Sequence, residues 1–350
     1  MTLAAFLRHI AFCCGLALLS AATVRAMIGA RVMDAPDARK AHTRPMPKGG
    51  GVGIVAAFLT GIVTLYAVAE FARLADPYFR GVIFAATAIA IVSFLDDLMD
   101  LPFAAKLIAQ VLAALTAIAS GLFIEVYRIP YVGPVDLGWL GAVLTLAWIL
   151  FATNAMNFMD GLDGLAAGAA LIACAFLAYI AARQGGWFVY FTALLLAAGL
   201  IGFLPFNFPH ARIFMGDVGS QFSGFMLAVL GVAASRFDGV EMSFAVVPML
   251  LSGLLFDVAF TLARRALAGE KLTRPHRGHL YQVAQRAGMD ARAVTLVHWG
   301  FALFGGACCL AFLAAPPPIK PALVLLPLLP QLLWVAYVAL RARDAGLTSW

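Results

Sequence analysis

The feature that most limits what this chain can become is the recurrence of apolar runs of about 18 to 22 residues along nearly its whole length. Each is long enough as a helix to cross a hydrocarbon core of roughly 30 Å. The runs fall at 3–24, 50–70, 79–96, 104–123, 138–154, 164–182, 187–205, 218–235, 243–263, 293–314 and 321–340. Lipid offers backbone amides no partners, so such runs predict helices. A chain of 350 residues that is 63% hydrophobic and 12% charged cannot wrap its core in a water-soluble surface. The expectation is an all-α integral membrane protein, a bundle of about eleven transmembrane helices forming one polytopic domain over 1–350.

Orientation is read from the basic residues, which are retained on the cytoplasmic side. With the N-terminus outside and the C-terminus inside, the first inner loop holds Arg25, Arg31, Arg39, Lys40, Arg44 and Lys48. The last long inner loop then holds Lys271, Arg274 and Arg277, and the outer connections are poorer in Lys and Arg. The formal net charge of +6 follows from this bias, so it does not call for a nucleic-acid partner. Val24-Arg25-Ala26 has the look of a signal-peptide cleavage site, but the basic residues follow the apolar stretch instead of preceding it. The stretch therefore reads as a retained first helix. Cys13, Cys14, Cys174, Cys308 and Cys309 all lie within apolar runs, without metal-ligand spacing to a histidine, and read as packing residues.

Carboxylates are expensive in a bilayer, so those gathered at helix ends on one side imply function. Asp96, Asp97 and Asp100 form Asp-Asp-Leu-Met-Asp at the end of the third run. Asp160 and Asp163 close the segment Asn154-Ala-Met-Asn157-Phe-Met-Asp160-Gly-Leu-Asp163-Gly164, and Asp217 lies in Phe214-Met-Gly-Asp217-Val-Gly219-Ser220. In the eleven-helix arrangement all three motifs emerge on the cytoplasmic side. If the motifs are helical, Asp96 and Asp100 share a face, and Asn157, Asp160 and Asp163 step by three along another. Carboxylates so gathered repel one another unless a cation is bound or some are protonated, and an all-oxygen ligand set suits Mg²⁺ or Mn²⁺. The competing reading of each motif alone is a helix cap or a solvated loop. Glycines beside the aspartates, which let backbone approach a phosphate, favour the functional one.

The same side carries cations and histidines. Lys40 and His42 lie in the first inner loop, and His276, Arg277 and His279 in the last. Such groups suit a diphosphate or a lipid phosphate, although basic loops also arise from orientation bias or attraction to anionic headgroups. Lys106 and Gln110 share one face at the start of the fourth run, where Lys106 could equally snorkel. Phe214 offers a ring on which a base can stack, against the default reading of packing. Asp257 stands alone in an apolar run, placed to orient a loop or to pair with a basic residue.

Taken together, the motifs resemble the polyprenyl-phosphate N-acetylhexosamine-1-phosphate transferases of glycosyltransferase family 4, from the Arg-Lys-x-His loop to the His-x-x-His loop. The resemblance implies attack by undecaprenyl phosphate on a UDP-sugar, with release of UMP and formation of an undecaprenyl-diphosphate sugar. It implies a multi-pass protein of the bacterial cytoplasmic membrane, with room for a homodimer. It implies Mg²⁺, or Mn²⁺, held by Asp217 with Asp97 and Asp163, and a catalytic set of Asp96, Asp97, Asp160 and Asp163, in which Asp96 activates the lipid phosphate. Phe214 and Asn154 look like uridine contacts and Asn157 like part of the nucleotide site. Lys40, His42, Lys106, His276, Arg277 and His279 look like further substrate contacts. The loop His276-Arg-Gly-His279-Leu-Tyr-Gln, with Phe206-Asn207-Phe-Pro209-His-Ala211-Arg212, is similar to the branch that initiates O-antigen on N-acetylated 6-deoxy sugars. A UDP-GlcNAc-specific member is the alternative.

Two other classes compete. Asp160-Gly-Leu-Asp163-Gly164 resembles the CDP-alcohol phosphotransferases locally, but residues 165–180 lack the Ala-Arg and the further Gly-x-x-x-Asp that they require. A cation-coupled transporter would place its carboxylates near the bilayer midplane on interrupted helices, not at one surface.

Overall fold

The computed structural model describes residues 3–34, 45–68, 77–129, 133–236, 242–272, 274 and 276–347. Lys40 and His42 lie outside them. The chain is a helical bundle: α1 (Leu3–Ala30), α2 (Gly51–Val68), α3 (Pro77–Met99), α4 (Phe103–Ala119), α5 (Gly138–Phe158), α6 (Leu165–Gln184), α7 (Trp187–Asn207), α8 (Gly216–Arg236), α9 (Val246–Leu250), α10 (Ser252–Leu267), α11 (Leu280–Arg286), α12 (Ala291–Ala314), α13 (Lys320–Leu325) and α14 (Leu328–Asp344). Two short antiparallel pairs accompany them, β1 (Met33–Asp34) with β2 (Met46–Pro47), and β3 (Val126–Ile129) with β4 (Gly133–Asp136).

Among the described residues, nine helical segments are long and apolar enough to cross a membrane. Three of the eleven expected runs differ. The fourth forms the shorter helix α4, the ninth is broken at Leu251 into α9 and α10, and the eleventh is interrupted by a turn at Leu326 and Pro327 between α13 and α14. The chain is a multi-pass membrane protein.

The helix that organises the rest is α8. Its sequence is rich in Gly, Ser and Ala and is buried almost throughout, as befits a helix enclosed by others in lipid, where small residues let backbones close up. It packs against α2, α3 and α5. Where α2 crosses α8 the contact is backbone on backbone, since a Cβ on Gly51 would stand 2.2 Å from the Cα and N of Gly219. The strand-like stretch before α2 continues the contact. The amide of Phe214 donates to Pro47 O, and the amides of Gly50 and Gly51 donate to the carbonyls of Phe214 and Met215, at 2.9, 2.9 and 2.8 Å. The segment just before α2 is thereby fastened to the Gly-Asp motif.

Adding one methyl at the crossing forces the helices apart. Gly51→Ala is expected to lower the melting temperature in detergent, by a destabilisation of about 1–3 kcal/mol. Gly300→Ala, where nothing lies within 4 Å of the added carbon, is expected to leave it unchanged or raise it slightly.

Candidate active site at one end of the bundle

At the junction of α3 and α4 the helix does not continue through the first acidic motif. It ends at Met99, and Asp100 takes a left-handed conformation, φ 51°, with its side chain 97% exposed. Asp96 and Asp100 therefore do not share a helical face. Asp96 instead turns back over the junction, accepting from the amide of Leu101 at 2.7 Å and from Lys106 Nζ at 2.9 Å. Asp97 spans to α8, where its two oxygens accept from the backbone amides of Asp217 and Val218, each at 3.1 Å. These are amides that a helix start leaves unpartnered, and a carboxylate there also meets the favourable end of the helix dipole. Gly216, φ 74°, makes the approach possible, because a Cβ would fall 2.5 Å from Asp97 Oδ2.

Asp217 is gripped from three sides. Its Oδ1 accepts from Asn157 Nδ2 at 3.0 Å, and its Oδ2 from Gln221 Nε2 at 2.9 Å and Lys106 Nζ at 3.2 Å. Asn157 also donates to Ser220 Oγ, at 2.9 Å. Deeper in the bundle, Gln110 joins Asn154 and Gln221: its Nε2 donates to Gln221 Oε1 at 3.0 Å and its Oε1 accepts from Asn154 Nδ2 at 2.7 Å. Asn154, expected at the nucleotide, is thus engaged in an amide network beneath Asp217. Lys48 adds a second cation, with its ammonium 3.7 Å from Asp100 and 4.0 Å from Asp97.

The second motif is not one helical face either. α5 ends at Phe158, and Asp160 and Asp163 lie on the turn that leads to α6. Several residues outside the motif hold that turn. Tyr281 donates its hydroxyl to Phe158 O, and Thr295 and Trp299 donate to the carbonyls of Asp163 and Gly164, each at 3.0 Å. Asn207 Oδ1 accepts from the Gly164 amide at 2.8 Å, and Asp163 Oδ2 from the Ala211 amide at 2.9 Å. Burial raises the Asp163 pKa, with the Ala211 amide and His210 opposing.

Asp160 is different. Among the described residues its carboxylate has no hydrogen-bond donor and no ion-pair partner, and the charges that reach it, those of Asp217, Asp97 and Asp163, are all negative. Burial first, and then these neighbours, push its pKa well above the ordinary range. Such a group needs a proton or a cation. Among the described residues no three His, Cys, Asp or Glu side chains form a ready-made metal cage. The donor set nevertheless fits a hard cation, since it offers carboxylate oxygens and the Asp160 carboxylate has no hydrogen-bond donor among the described residues.

The histidine loop hangs on Asp257. Asp257 Oδ1 accepts from the Leu280 amide at 3.0 Å and from His279 Nδ1 at 3.1 Å, and Oδ2 from the Tyr281 amide at 3.0 Å. The isolated aspartate of the sequence is therefore the anchor of this loop, and Tyr281 carries the loop onto Gly161. The His279 ring is buried, with the His276 ring centroid 4.9 Å away. His276 Nδ1 accepts from the Gly278 amide at 3.1 Å, which leaves the proton of the neutral ring on Nε2. Arg277 is half-buried between the two histidines in sequence, and its carbonyl accepts from Arg286. Phe214 is half-buried beside the Gly-Asp turn.

Residues 79–235 match the family model "Glycosyl transferase family 4". A decaprenyl-phosphate N-acetylglucosaminephosphotransferase of Mycobacterium tuberculosis is 31% identical over 307 residues, 79% of this chain and 75% of the relative. The chain belongs to glycosyl transferase family 4. Another relative is the probable undecaprenyl-phosphate N-acetylglucosaminyl 1-phosphate transferase of Bacillus subtilis, 29% identical over 267 residues, 76% of this chain and 73% of the relative. A phospho-N-acetylmuramoyl-pentapeptide-transferase of Lactobacillus gasseri is 34% identical over 157 residues, 42% of this chain and 49% of the relative. Like its family, the chain is a membrane-embedded transferase.

His276 supplies a pH test. Burial, followed by the charges of His279 and Arg265, lowers its pKa to about 4 from 6.5. Between pH 6.5 and 4 the unfolded chain takes up a proton that the folded one refuses, so this residue costs stability as pH falls through that window. The wild type is expected to lose more melting temperature than His276→Asn between pH 7 and 4.5, and the two are expected to run parallel above pH 7.

Proposed function

We propose that this transferase moves an N-acetylhexosamine-1-phosphate from a UDP-sugar to undecaprenyl phosphate, releasing UMP and leaving an undecaprenyl-diphosphate sugar. The reaction would be the first membrane step of O-antigen or other cell-surface polysaccharide synthesis, at the cytoplasmic face of the bacterial inner membrane. The observation that carries the reading is the meeting, at one end of the bundle, of aspartates from all three motifs with Lys106 and Lys48. The family supports it, as do the relatives, whose names specify polyprenyl phosphates and N-acetylated sugars.

The site chemistry follows from charge. Phosphoryl transfer depends mainly on in-line positioning and on neutralising the transferred group. Mg²⁺, or Mn²⁺, held by Asp217 with Asp160, Asp97 and Asp163 around it, would supply that neutralisation when bound. Asn157 and Gln221 keep the Asp217 carboxylate in one orientation, and Asp97 keeps the start of α8 in place beneath it. Asp96 Oδ2, paired with Lys106, is placed to take the remaining proton of an acceptor phosphate. His276 would offer Nε2–H as an uncharged, directional donor, and Arg277 a charged one. The relatives from Mycobacterium tuberculosis and Bacillus subtilis are named for N-acetylglucosamine, so UDP-GlcNAc is the first donor to test, beside UDP-N-acetylfucosamine and UDP-N-acetylquinovosamine.

Purified protein given undecaprenyl phosphate, Mg²⁺ and these donors in detergent is expected to release UMP and form lipid product with at least one. EDTA should abolish turnover, and Asp217→Asn should lower it by about 100-fold or more. Absence of turnover with every donor would refute the assignment, and so would undiminished activity in EDTA.

A further inference from the structure

Lys106 stands at the first turn of α4 with one ammonium shared between carboxylates from two other helices, 2.9 Å from Asp96 Oδ2 and 3.2 Å from Asp217 Oδ2. Asp96 and Asp217 also meet each other directly, and their other polar contacts are neutral: the Leu101 amide on Asp96, and the Asn157 and Gln221 amides on Asp217. Among the described residues, Lys106 is the cation in ion-pair range of both Asp96 and Asp217. A divalent ion on Asp217 would meet that ammonium at close range, and two cations so placed repel strongly where solvent is scarce. Both cannot keep the same oxygen.

The surroundings show where the displaced ammonium can go. The Lys106 side chain is 26% exposed, on a flexible stem that can redirect a point charge. Around it Leu98, Met99, Phe103, Leu107 and Ile108 are exposed apolar side chains. In a membrane protein such a rim faces lipid. The ammonium thus lies between the acidic site and this apolar rim.

We infer that Lys106 is a displaceable counter-ion, which neutralises Asp217 until the divalent cation binds there and is then released to the phosphate of the lipid acceptor. The inference rests on the proposed function above and assigns Lys106 to the acceptor, not to the nucleotide donor. It also implies an order of events, in which the cation makes the acceptor's contact available.

Opposite effects on two ligands separate this role from a merely structural one, which would weaken both. Mn²⁺ binding to substrate-free protein, followed by electron paramagnetic resonance, is expected to tighten by about tenfold in Lys106→Gln and Lys106→Met, because a competing charge is gone. In Lys106→Gln the KM for undecaprenyl phosphate is expected to rise by about tenfold, with the KM for the UDP-sugar within about twofold of wild type. On unmodified protein, reductive methylation of the Lys106 amine, read by mass spectrometry, should increase when Mg²⁺ is added. Equal or weaker Mn²⁺ binding by the variants overturns the inference, as does a KM effect confined to the donor, or methylation that Mg²⁺ leaves unchanged or reduces. If wild type binds no Mn²⁺ at all, the cation reading of the site fails with it; if wild type binds Mn²⁺ and the variants bind it no tighter, only the role of Lys106 fails.

Discussion

The carboxylate of Asp97 closing on the first free amides of α8 is the contact on which the rest of this site depends. It joins the end of α3 to the start of the most buried helix of the bundle, and it fixes the position from which Asp217 projects. The left-handed Gly216 and the Gly51–Gly219 crossing make room for it, since a side chain at Gly216 would meet the Asp97 carboxylate and one at Gly51 or Gly219 would push apart backbones that touch. Once α8 is seated, Asn157 from α5, Lys106 from α4 and Gln221 from α8 itself converge on one carboxylate.

The bilayer explains why the network is so complete. Polar groups within a membrane bundle are costly unless paired, and here the amides of Asn154, Gln110 and Gln221 form a chain leading up to Asp217, which Asn157 meets from another side. Against that background Asp160, whose carboxylate has no hydrogen-bond donor among the described residues and feels the charge of three other carboxylates, is the group that the proposed cation would neutralise. A second layer supports the turn that bears it. Asp257 orders the histidine loop, Tyr281 docks that loop on Phe158 and Gly161, and Thr295 and Trp299 hold the far side.

Much of this was legible in the sequence, because apolar runs and intramembrane carboxylates are local signals. The eleven runs all became helices, and the three acidic motifs did come together. Local periodicity failed where the chain turns. Asp100 was placed on the face of Asp96, yet the left-handed turn at residue 100 carries it into solvent; Asp160 and Asp163 were placed on a helix that in fact stops at Phe158. The supporting residues were harder still. Nothing in the spacing of Gln221, Thr295 or Trp299 distinguishes them from ordinary helix residues, because the partners that matter lie more than a hundred positions away. Asp257 was visible as an anomaly, a carboxylate alone in an apolar helix, and its loop-orienting role was one of the two readings open to it.

The claim at the centre of this account is that one divalent ion is shared by aspartates from separate helices. The most direct measurement is anomalous scattering from crystals grown with Mn²⁺ in place of Mg²⁺. The account predicts a single strong peak touching Asp217 and bordered by Asp160. A peak elsewhere in the bundle, or none at millimolar Mn²⁺ in well-ordered crystals, would contradict it.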